Sequence, residues 1–292
     1  MSIEIRCAAK INLYLDVTAT LENGYHELET FYQPVGLYDE IRIMRSGEGI
    51  QLSGDEPSIR WDESNLCHRA ASLVMERAGR RSGVRMDVRK RIPHGAGLGG
   101  GSSDAAAILL GINTLFGFGL GKEELLEMGA ELGSDVPFFV MGRPAIGRGR
   151  GEILEETEGL TAGWIVIVKP ELNISTSWAY QNIKIGLTRS GDVATLEQLK
   201  EGLGRFPEVE LTTWNSFTDI VVGHYPEVGE LIAAMKDGGA ILSSLSGSGS
   251  ACFGIFSKQE QASEVEKVFI DKGLFSRIVR PIDQAVVLLH AE

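Results

Sequence analysis

Cysteine is scarce in this chain, and its spacing limits what it can do. The 292 residues include three cysteines, Cys7, Cys67 and Cys252, which are odd in number and far apart. The sequence has no C-x-x-C pair, no H-E-x-x-H segment and no cluster of Cys and His, so neither a disulfide framework nor a structural zinc site is expected. Isolated cysteines are typical of a reducing compartment, and we expect a cytoplasmic protein.

Long apolar runs and an excess of positive charge are also missing. No apolar stretch approaches the roughly 20 residues that span a bilayer, and the N-terminal MSIEIRCAAKINL resembles neither a signal peptide nor a transit peptide. Lysine and arginine total 28 against 40 acidic residues, a net charge of −12, which argues against nucleic acid as a partner. The basic run 77–91 is a local exception. We interpret it mainly as a solvated face, with one or two residues that could steer an anionic ligand.

The length and the apolar periodicity predict two domains. A polar, glycine-containing segment at 155–163 marks the boundary, which gives domains 1–157 and 158–292. The order of elements in the second half indicates an α+β sandwich. Predicted strands cover 3–7, 10–18, the stretch around 37–43, 84–92, 164–170, 275–280 and 285–289. Predicted helices cover 65–76, the apolar run up to 116, 122–132, 176–184, 195–203, 216–222, 226–237 and 259–272.

The most informative stretch is PHGAGLGGGSSDAAA, residues 93–107. Glycines let backbone N–H groups turn toward a ligand without steric cost, and Ser or Asp before an apolar run begins a helix. The free N–H groups and the dipole at such a helix start favour an anion. We therefore predict a phosphate site in a protein that handles nucleotides. A flexible linker is the structural alternative, but a strand-like run before the loop and a sharp helix start after it argue against one.

Common phosphate and cofactor motifs do not fit this loop. The P-loop pattern is absent because no lysine follows the glycines. Gly95, Gly97 and Gly100 match G-x-G-x-x-G, but the next segment, 122–133, has helical spacing instead of a strand that ends in an acidic residue. The V-A-I-K, H-R-D and D-F-G elements of protein kinases are missing as well. A dinucleotide-dependent oxidoreductase and a protein kinase are therefore disfavoured.

Three further segments place polar groups beside glycine or in strands. AAKINL puts Lys10 and Asn12 one strand period apart and hence on one face. GSDVPFF carries Asp135, and NGYHEL carries Tyr25 and His26. Taken singly, each has an ordinary structural interpretation: a surface lysine, an N-cap or turn aspartate, and a turn with a packed aromatic ring. Composition and periodicity do not connect the three.

A family resemblance does connect them. Residues 8–13, 93–107 and 245–250 resemble, in order, three motifs of the GHMP kinases, the superfamily of galactokinase, homoserine kinase and mevalonate kinase. With the GYHEL and LGSDVPFF segments, the resemblance is strongest to the family that phosphorylates 4-diphosphocytidyl-2-C-methyl-D-erythritol, over roughly residues 5–256. Two small departures affect the substrate loop: Asn23 stands where the family commonly has Asp, and an arginine often found just upstream is missing.

The resemblance implies a fold and a reaction. The fold is α+β, a two-domain GHMP kinase fold with an N-terminal ribosomal-protein-S5-domain-2-like α/β domain and a C-terminal ferredoxin-like α+β sandwich. The reaction transfers the γ-phosphoryl group of ATP, with Mg²⁺, to a hydroxyl of the substrate, the 2-hydroxyl in this family, in non-mevalonate isoprenoid precursor biosynthesis. The partner implied is a small molecule carrying a cytidine diphosphate group, with neither nucleic acid nor membrane involved.

The resemblance also assigns the catalytic and ATP-binding residues. Asp135 corresponds to the base that takes the alcohol proton, and Lys10 to the partner that orients this carboxylate and stabilises phosphate charge. Ser103 and Asp104 are candidates to meet Mg²⁺, but phosphate could hold most of it, so no protein metal ligand is assigned. The ATP-binding positions are Asn65, near the adenine, and the loop residues Pro93, His94, Gly95, Ala96, Gly97, Leu98, Gly99, Gly100, Gly101, Ser102 and Ser103.

The substrate-binding residues follow from the same resemblance. Asn12 is expected to hold the polyol near the base. Tyr25 and Tyr180 match two aromatic positions that stack on the cytosine, and His26 matches the residue that reads the edge of the base. Gly247 and Ser248, in the second glycine loop, are expected to approach the substrate phosphates.

Alternative functions remain open at this point. A GHMP kinase for a homoserine- or mevalonate-type alcohol is disfavoured by Tyr25, His26 and Tyr180, because such substrates have no base to stack on. A catalytically inactive nucleotide-binding regulator is disfavoured by the intact Lys10 and Asp135. A scaffold with incidental glycines is the weakest alternative.

Overall fold

A computed structural model describes residues 1–22, 24–79, 82–183 and 194–291. Asn23 and the last residue of the helix predicted over 176–184 lie outside these ranges. The first half of the chain forms β1 Ser2–Thr20, β2 His26–Ser46, β3 Ile50–Gly54, α1 Leu66–Arg77, β4 Gly83–Arg89, α2 Gly100–Phe116, α3 Lys122–Leu132, α4 Val136–Met141, β5 Ala145–Arg148 and β6 Ile153–Glu156. The second half forms β7 Trp164–Lys169, α5 Thr176–Asn182, α6 Leu196–Leu203, α7 Thr218–His224, α8 Pro226–Asp237, β8 Leu242–Leu245, β9 Cys252–Phe256, α9 Gln259–Asp271, β10 Phe275–Val279 and β11 Val286–Ala291.

The first sheet is built on a long antiparallel hairpin. Its strand order is β11-β1-β2-β4-β3, and β5 joins β2 to β6. The two strands predicted at 3–7 and 10–18 are one continuous strand, β1, whose early residues alternate between the core and a solvated face. On that solvated face, Arg6 pairs with Glu40, and Arg42 pairs with Glu4. The last strand of the chain, β11, pairs antiparallel with β1, so the C-terminal residues complete the first sheet.

Helices α1 and α2 pack on the opposite face of this sheet, and α3 and α4 pack against α2. The helix α2 is apolar on most of its surface because it packs against both the sheet and the neighbouring helices. Its approach to the sheet is close: a Cβ on Gly111 would lie 2.5 Å from Ile5 Cδ1 and from Ile43 Cδ1. Buried residues from β1, β2, β4 and these helices form one continuous core. This core fixes the start of α2 relative to β1.

Some short elements differ from the sequence prediction. The apolar run after the turn at 133–137 is helical, as α4, with a proline in its first turn. The glycine-rich stretch 142–151 includes the strand β5, and the short parallel strand β3 was not anticipated. Such elements are only four to six residues long, which is too short for apolar periodicity to identify them.

The second sheet is antiparallel and has the order β10-β7-β9-β8. Its strands carry buried apolar side chains on both faces, and α8 and α9 pack against it. The sheet with its helices forms the α+β sandwich expected for the second half. A separate hydrophobic cluster joins this sheet to residues of β1 and β2, so the two halves share an apolar interface. The division of the chain into domains after residue 157 stays a prediction.

Candidate active site

Lys10, in the middle of β1, and Asp135, at the start of α4, face each other. The Lys10 ammonium lies 3.6 Å from Asp135 Oδ2, and the Lys10 side chain is 4% exposed against 31% for Asp135. Asp135 occupies the N-cap position of α4 but makes no capping hydrogen bond with its side chain. The carboxylate is therefore free of the usual structural task of an N-cap aspartate. It faces a charged partner and is open to a ligand.

Tyr32 is a third member of this group, and the sequence analysis did not identify it. Its hydroxyl donates to Asp135 Oδ1 at 3.1 Å. Its ring stacks on Phe138 at a centroid distance of 4.8 Å and lies 5.7 Å from the Lys10 ammonium. Burial, followed by the charge of Asp135, raises the pKa of Tyr32 well above its usual value. Tyr32 thus stays a neutral donor that fixes one carboxylate oxygen.

Asn12 belongs to a chain of hydrogen bonds that starts at Lys10. The Lys10 ammonium donates to Asn12 Oδ1 at 2.7 Å, and Asn12 Nδ2 donates to Thr30 Oγ1 at 2.8 Å. The hydroxyl of Thr30 in turn donates to the Tyr14 carbonyl. Burial lowers the pKa of Lys10, against the opposing attraction of Asp135. Asn12 therefore orients the lysine, a role that the sequence analysis had not assigned to it.

The first glycine loop, residues 93–99, is held between the two halves of the molecule. The Lys10 N–H donates to the Leu98 carbonyl at 2.9 Å, and the Ala251 N–H donates to the Ala96 carbonyl at 3.0 Å. Gly97 has a φ of +77°, and a Cβ there would lie 2.1 Å from the Ser246 carbonyl oxygen. Both its backbone conformation and its contacts require glycine. The loop is thus a packed structural element, which excludes the flexible-linker interpretation.

The loop leads directly into α2, whose first turn presents backbone N–H groups. Gly99 is the N-cap residue, in the left-handed region, and contributes no side chain to the cap. The first-turn N–H groups of a 17-residue helix are therefore left for a ligand. Ser103, in this turn, is buried, and its hydroxyl has no hydrogen-bond partner in the described part of the chain. The arrangement fits a phosphate group.

Behind this helix start lies a buried cluster of charges that the sequence analysis missed. Lys90 belongs to the basic run interpreted as a solvated face, but its side chain is only 6% exposed and pairs with both Asp39 and Asp104. Asp104 also accepts from the Cys7 thiol at 3.2 Å. The two carboxylates raise the pKa of Lys90 against the effect of burial. Lys90 donates to Asp104 Oδ2 and the Cys7 thiol donates to Oδ1, so both carboxylate oxygens already have a partner within the protein.

The second glycine loop, residues 246–250, closes the site from the second sheet. The Ser246 hydroxyl donates to the Gly97 carbonyl at 3.0 Å. A Cβ on Gly247 would lie 3.4 Å from the Lys10 ammonium. Ser248 Oγ lies 3.1 Å from Thr176 Oγ1 of α5. Gly247 therefore lies beside Lys10 and the first glycine loop, and Ser248 lies beside the start of α5. That they approach the substrate phosphates stays a prediction.

An aromatic group forms the other end of the site. His26 and Tyr180 have ring centroids 4.9 Å apart, and Tyr180 meets Phe217 edge-on at 4.9 Å. Tyr25 is 54% exposed, and the Arg150 guanidinium lies 4.9 Å from its ring. Burial raises the pKa of Tyr180, with a further contribution from Asp135. Flat faces and a ring nitrogen at this end suit a planar, polar heterocycle.

One cavity of about 1110 Å³ joins these parts. Lys10, Asn12, Asp135, the aromatic residues and both glycine loops contribute to its wall. Leu98 and Ser103 do not line it, although both belong to the predicted loop set. Asn65 does line it, but Cys67 N–H and the Arg60 carbonyl already occupy its side-chain amide as hydrogen-bond partners. Asn65 therefore caps α1 while forming part of the wall.

The cavity unites a phosphate-type helix start with a Lys and Asp pair and a site for a heterocycle, as a nucleotide-dependent small-molecule kinase requires. Two family models match, GHMP kinases N terminal domain over residues 65–143 and GHMP kinases C terminal over residues 186–273. The chain belongs to the GHMP kinase family. Kinases of this family use ATP as phosphoryl donor. The two-domain α+β fold expected from the sequence is confirmed.

Within that family, several similar proteins are named for one substrate. A 4-diphosphocytidyl-2-C-methyl-D-erythritol kinase of Chloroherpeton thalassium is 42% identical over 268 residues, covering 90% of this chain and 92% of the relative. A kinase of the same name from Geobacter sp. strain M21 is 36% identical over 285 residues, covering 96% of this chain and 99% of the relative. A crystal structure of 4-(cytidine 5'-diphospho)-2C-methyl-D-erythritol kinase superposes with a TM-score of 0.83 at 34% identity, covering 95% and 98%. The family resemblance identified from the sequence is confirmed.

More distant structures share the fold. A homoserine kinase from Cytophaga hutchinsonii superposes with a TM-score of 0.71 at 20% identity, covering 99% of this chain and 97% of that one. In the described ranges, no helix is long and apolar enough to cross a membrane. Over the same ranges, no group of three or more His, Cys, Asp or Glu side chains could hold a metal ion.

Proposed function

We propose that this chain transfers the γ-phosphoryl group of ATP to the 2-hydroxyl of 4-diphosphocytidyl-2-C-methyl-D-erythritol, in non-mevalonate isoprenoid precursor biosynthesis. One observation carries the proposal: Lys10 and Asp135 lie in the same cavity as the pair of His26 and Tyr180. A small aliphatic alcohol has no heterocycle that could stack on the rings of His26 and Tyr180. The similar proteins named for this substrate support the assignment.

The chemistry proposed for the site is mainly positioning and charge stabilisation, because phosphoryl transfer has a loose transition state. Asp135 accepts the proton of the attacking hydroxyl, and Tyr32 keeps its carboxylate oriented. Lys10 lies between this carboxylate and the first glycine loop, so its ammonium stabilises negative charge on the transferred group. Backbone N–H groups at the start of α2 bind the ATP phosphates.

Mg²⁺ is proposed to enter with ATP and to supply positive charge to the phosphate oxygens. Of the two side chains considered from the sequence, Asp104 lines the cavity but is bound by Lys90 and Cys7. The Ser103 hydroxyl is unpartnered in the described part of the chain but does not line the cavity, so neither side chain is assigned as a Mg²⁺ ligand. Asn65 and the loop Pro93 to Ser103 are proposed to bind ATP, with the adenine near α1.

The cytidine end is proposed to lie between Tyr25 and Tyr180, with His26 reading the edge of the base. Base stacking on aromatic side chains contributes roughly 1–3 kcal/mol per base. Gly247 and Ser248 approach the substrate phosphates. We propose that the reaction takes place in the cytoplasm on small polar molecules, without a nucleic-acid or membrane partner. The three free and buried cysteines are typical of a reducing compartment.

A coupled ATP-consumption assay with Mg²⁺ tests the proposal, comparing the cytidine-linked alcohol with homoserine and mevalonate. We expect turnover with the first alone, with ³¹P and ¹³C spectra of the product placing the new phosphate on the 2-hydroxyl. The Asp135→Asn variant should lose about 10²- to 10⁴-fold in kcat while ATP still binds, as expected for loss of a general base. Turnover with homoserine or mevalonate instead would overturn the substrate assignment.

A further inference from the structure

A short segment between α6 and α7, residues 213–217, is hydrogen-bonded to β1, the strand that carries Lys10 and Asn12. The Thr213 hydroxyl donates to the Leu13 carbonyl at 2.5 Å. The Leu15 N–H donates to the Trp214 carbonyl, and the Ser216 N–H donates to the Leu15 carbonyl. Leu15 and Asn215 thereby form a parallel bridge. The segment therefore has a fixed register on β1.

The side chain of Asn215 connects this segment to the second glycine loop. It is 4% exposed. Its Nδ2 donates to the carbonyls of Leu245 and Gly247, both at 2.9 Å, and its Oδ1 accepts from the Phe217 N–H at 2.9 Å. Only an amide of this size offers two donors and an acceptor in that arrangement. The interaction therefore depends on this residue type.

The two carbonyls that Asn215 binds belong to backbone beside the reacting groups. A Cβ on Gly247 would lie 3.4 Å from the Lys10 ammonium and 3.2 Å from the Gly97 carbonyl oxygen, so the loop backbone is close to both. The adjacent Ser246 hydroxyl binds the Gly97 carbonyl directly. A shift of the second loop would therefore move it against both Lys10 and the first glycine loop.

We infer that Asn215 is a positioning residue for phosphoryl transfer. It sets the distance between the strand that carries Lys10 and the second glycine loop, without contact to substrate. Its loss would leave two buried carbonyls unpaired, and the loop would move to find other partners. Displacements of about 1 Å in a reacting geometry can cost on the order of a hundredfold in rate. The inference rests on the proposed function insofar as it predicts kinetic constants.

Ser216 provides a matched control in the same segment. It is buried, and its hydroxyl donates to Asp16 Oδ1 and accepts from the N–H groups of Val17 and Trp214 Nε1, all at 3.0 Å. Ser216→Ala thus removes a comparable set of buried hydrogen bonds, but none to the second glycine loop. A purely structural role for the segment would give Asn215 and Ser216 variants the same phenotype.

The experiment compares Asn215→Ala, Asn215→Asp and Ser216→Ala with the wild type. Asn215→Asp keeps the acceptor for the Phe217 N–H but loses both donors. We expect kcat to fall about 10- to 100-fold in both Asn215 variants, with KM for either substrate changed less than about threefold. In Ser216→Ala, kcat should stay within about threefold of the wild type, even if its melting temperature falls as much as in the Asn215 variants. An equal loss of kcat in Ser216→Ala, or unchanged kcat in the Asn215 variants, would overturn the inference.

Hydrogen exchange of the loop gives a readout that needs no alcohol substrate. The amides of Ser246, Gly249 and Ala251 are all bonded to backbone carbonyls. In the Asn215 variants, with a non-hydrolysable ATP analogue present, these amides should exchange at least about tenfold faster, while amides of α2 keep their rates. Unchanged loop exchange would contradict the inference whichever alcohol the wild type accepts. Failure of the wild type with the cytidine-linked alcohol would count against the proposed function alone.

Discussion

The hydroxyl of Tyr32 donates to Asp135 Oδ1 at 3.1 Å, while the Lys10 ammonium lies 3.6 Å from the other oxygen of the same carboxylate. The proposed base is thus held from two sides by two strands of the first sheet. The orientation of the carboxylate therefore depends on side chains that arrive from distant parts of the sequence.

Tyr32→Phe should lower kcat roughly tenfold while leaving KM for ATP nearly unchanged. The variant keeps the ring and its stacking on Phe138 but removes the donor to a charged acceptor, an interaction typically worth about 1.5–3 kcal/mol. Steady-state kinetics measures the effect. Tyr38→Phe is the control, because Tyr38 lies on the same strand but its ring is next to the Arg6 guanidinium instead of the Lys10 ammonium. Equal kcat in the wild type and in Tyr32→Phe would contradict a role for the hydroxyl.

The pH profile should report the burial of Lys10. Burial lowers the pKa of Lys10 from its ordinary value of 10.5, so the ammonium loses its proton at a lower pH than an exposed lysine would. We expect kcat/KM, which reflects the free enzyme, to fall on the alkaline side below pH 10.5. Lys10→Arg, whose guanidinium stays charged, should be slower but lack this limb. The assignment fails if the same limb persists in Lys10→Arg.

The sequence predicted the parts of the site that depend on local pattern. The glycine loop and the start of α2 follow from residue types that are adjacent in the chain, and the helix ends at Phe116 as expected. Lys10 and Asn12 share a face because a strand has a period of two, and their side chains do meet. The family resemblance then related these segments to Asp135, which composition and periodicity could not do.

The residues that the sequence analysis missed act through long-range contacts. Lys90 lies in a basic run whose composition is typical of a solvated face. It directly follows β4, and its side chain lies between Asp39 and Asp104, which are 51 and 14 residues away in the sequence. Asn215 lies among other polar residues, and its partners lie 30 and 32 residues further along the chain. No local pattern distinguishes such residues from surface ones, because only the packing of distant elements defines their environment.

Tyr180 should contribute to affinity for the cytidine-linked alcohol and little to ATP binding. Tyr180→Leu removes a flat face that also packs on His26 and Phe217. Loss of one stacking face, worth about 1–3 kcal/mol, should raise KM for that substrate roughly 5- to 150-fold. Tyr180→Phe keeps the ring and should stay within about threefold. Titration of cytidine diphosphate by calorimetry checks the effect independently, and equal affinity in wild type and Tyr180→Leu would exclude stacking on this ring.

Asp104→Asn should change how stability depends on pH. Burial raises the pKa of Asp104 from 3.8 to about 7, although Lys90 attracts its charged form. Between about pH 4 and pH 7 the folded protein keeps a proton that the unfolded chain has released, so the free energy of unfolding falls as the pH rises through this window and levels off above it. The asparagine variant lacks this titration, and its Lys90 still pairs with Asp39.

Urea unfolding between pH 4 and pH 8 measures this difference. The wild type should lose on the order of 1–4 kcal/mol more than Asp104→Asn across the window, since each pKa unit corresponds to about 1.4 kcal/mol. Asp55→Asn is the control, because Asp55 is exposed and pairs with Arg91, and its pKa is lowered by the Lys90 N–H. If the wild type and Asp104→Asn lose the same stability from pH 4 to pH 8, Asp104 does not hold the extra proton in the folded protein.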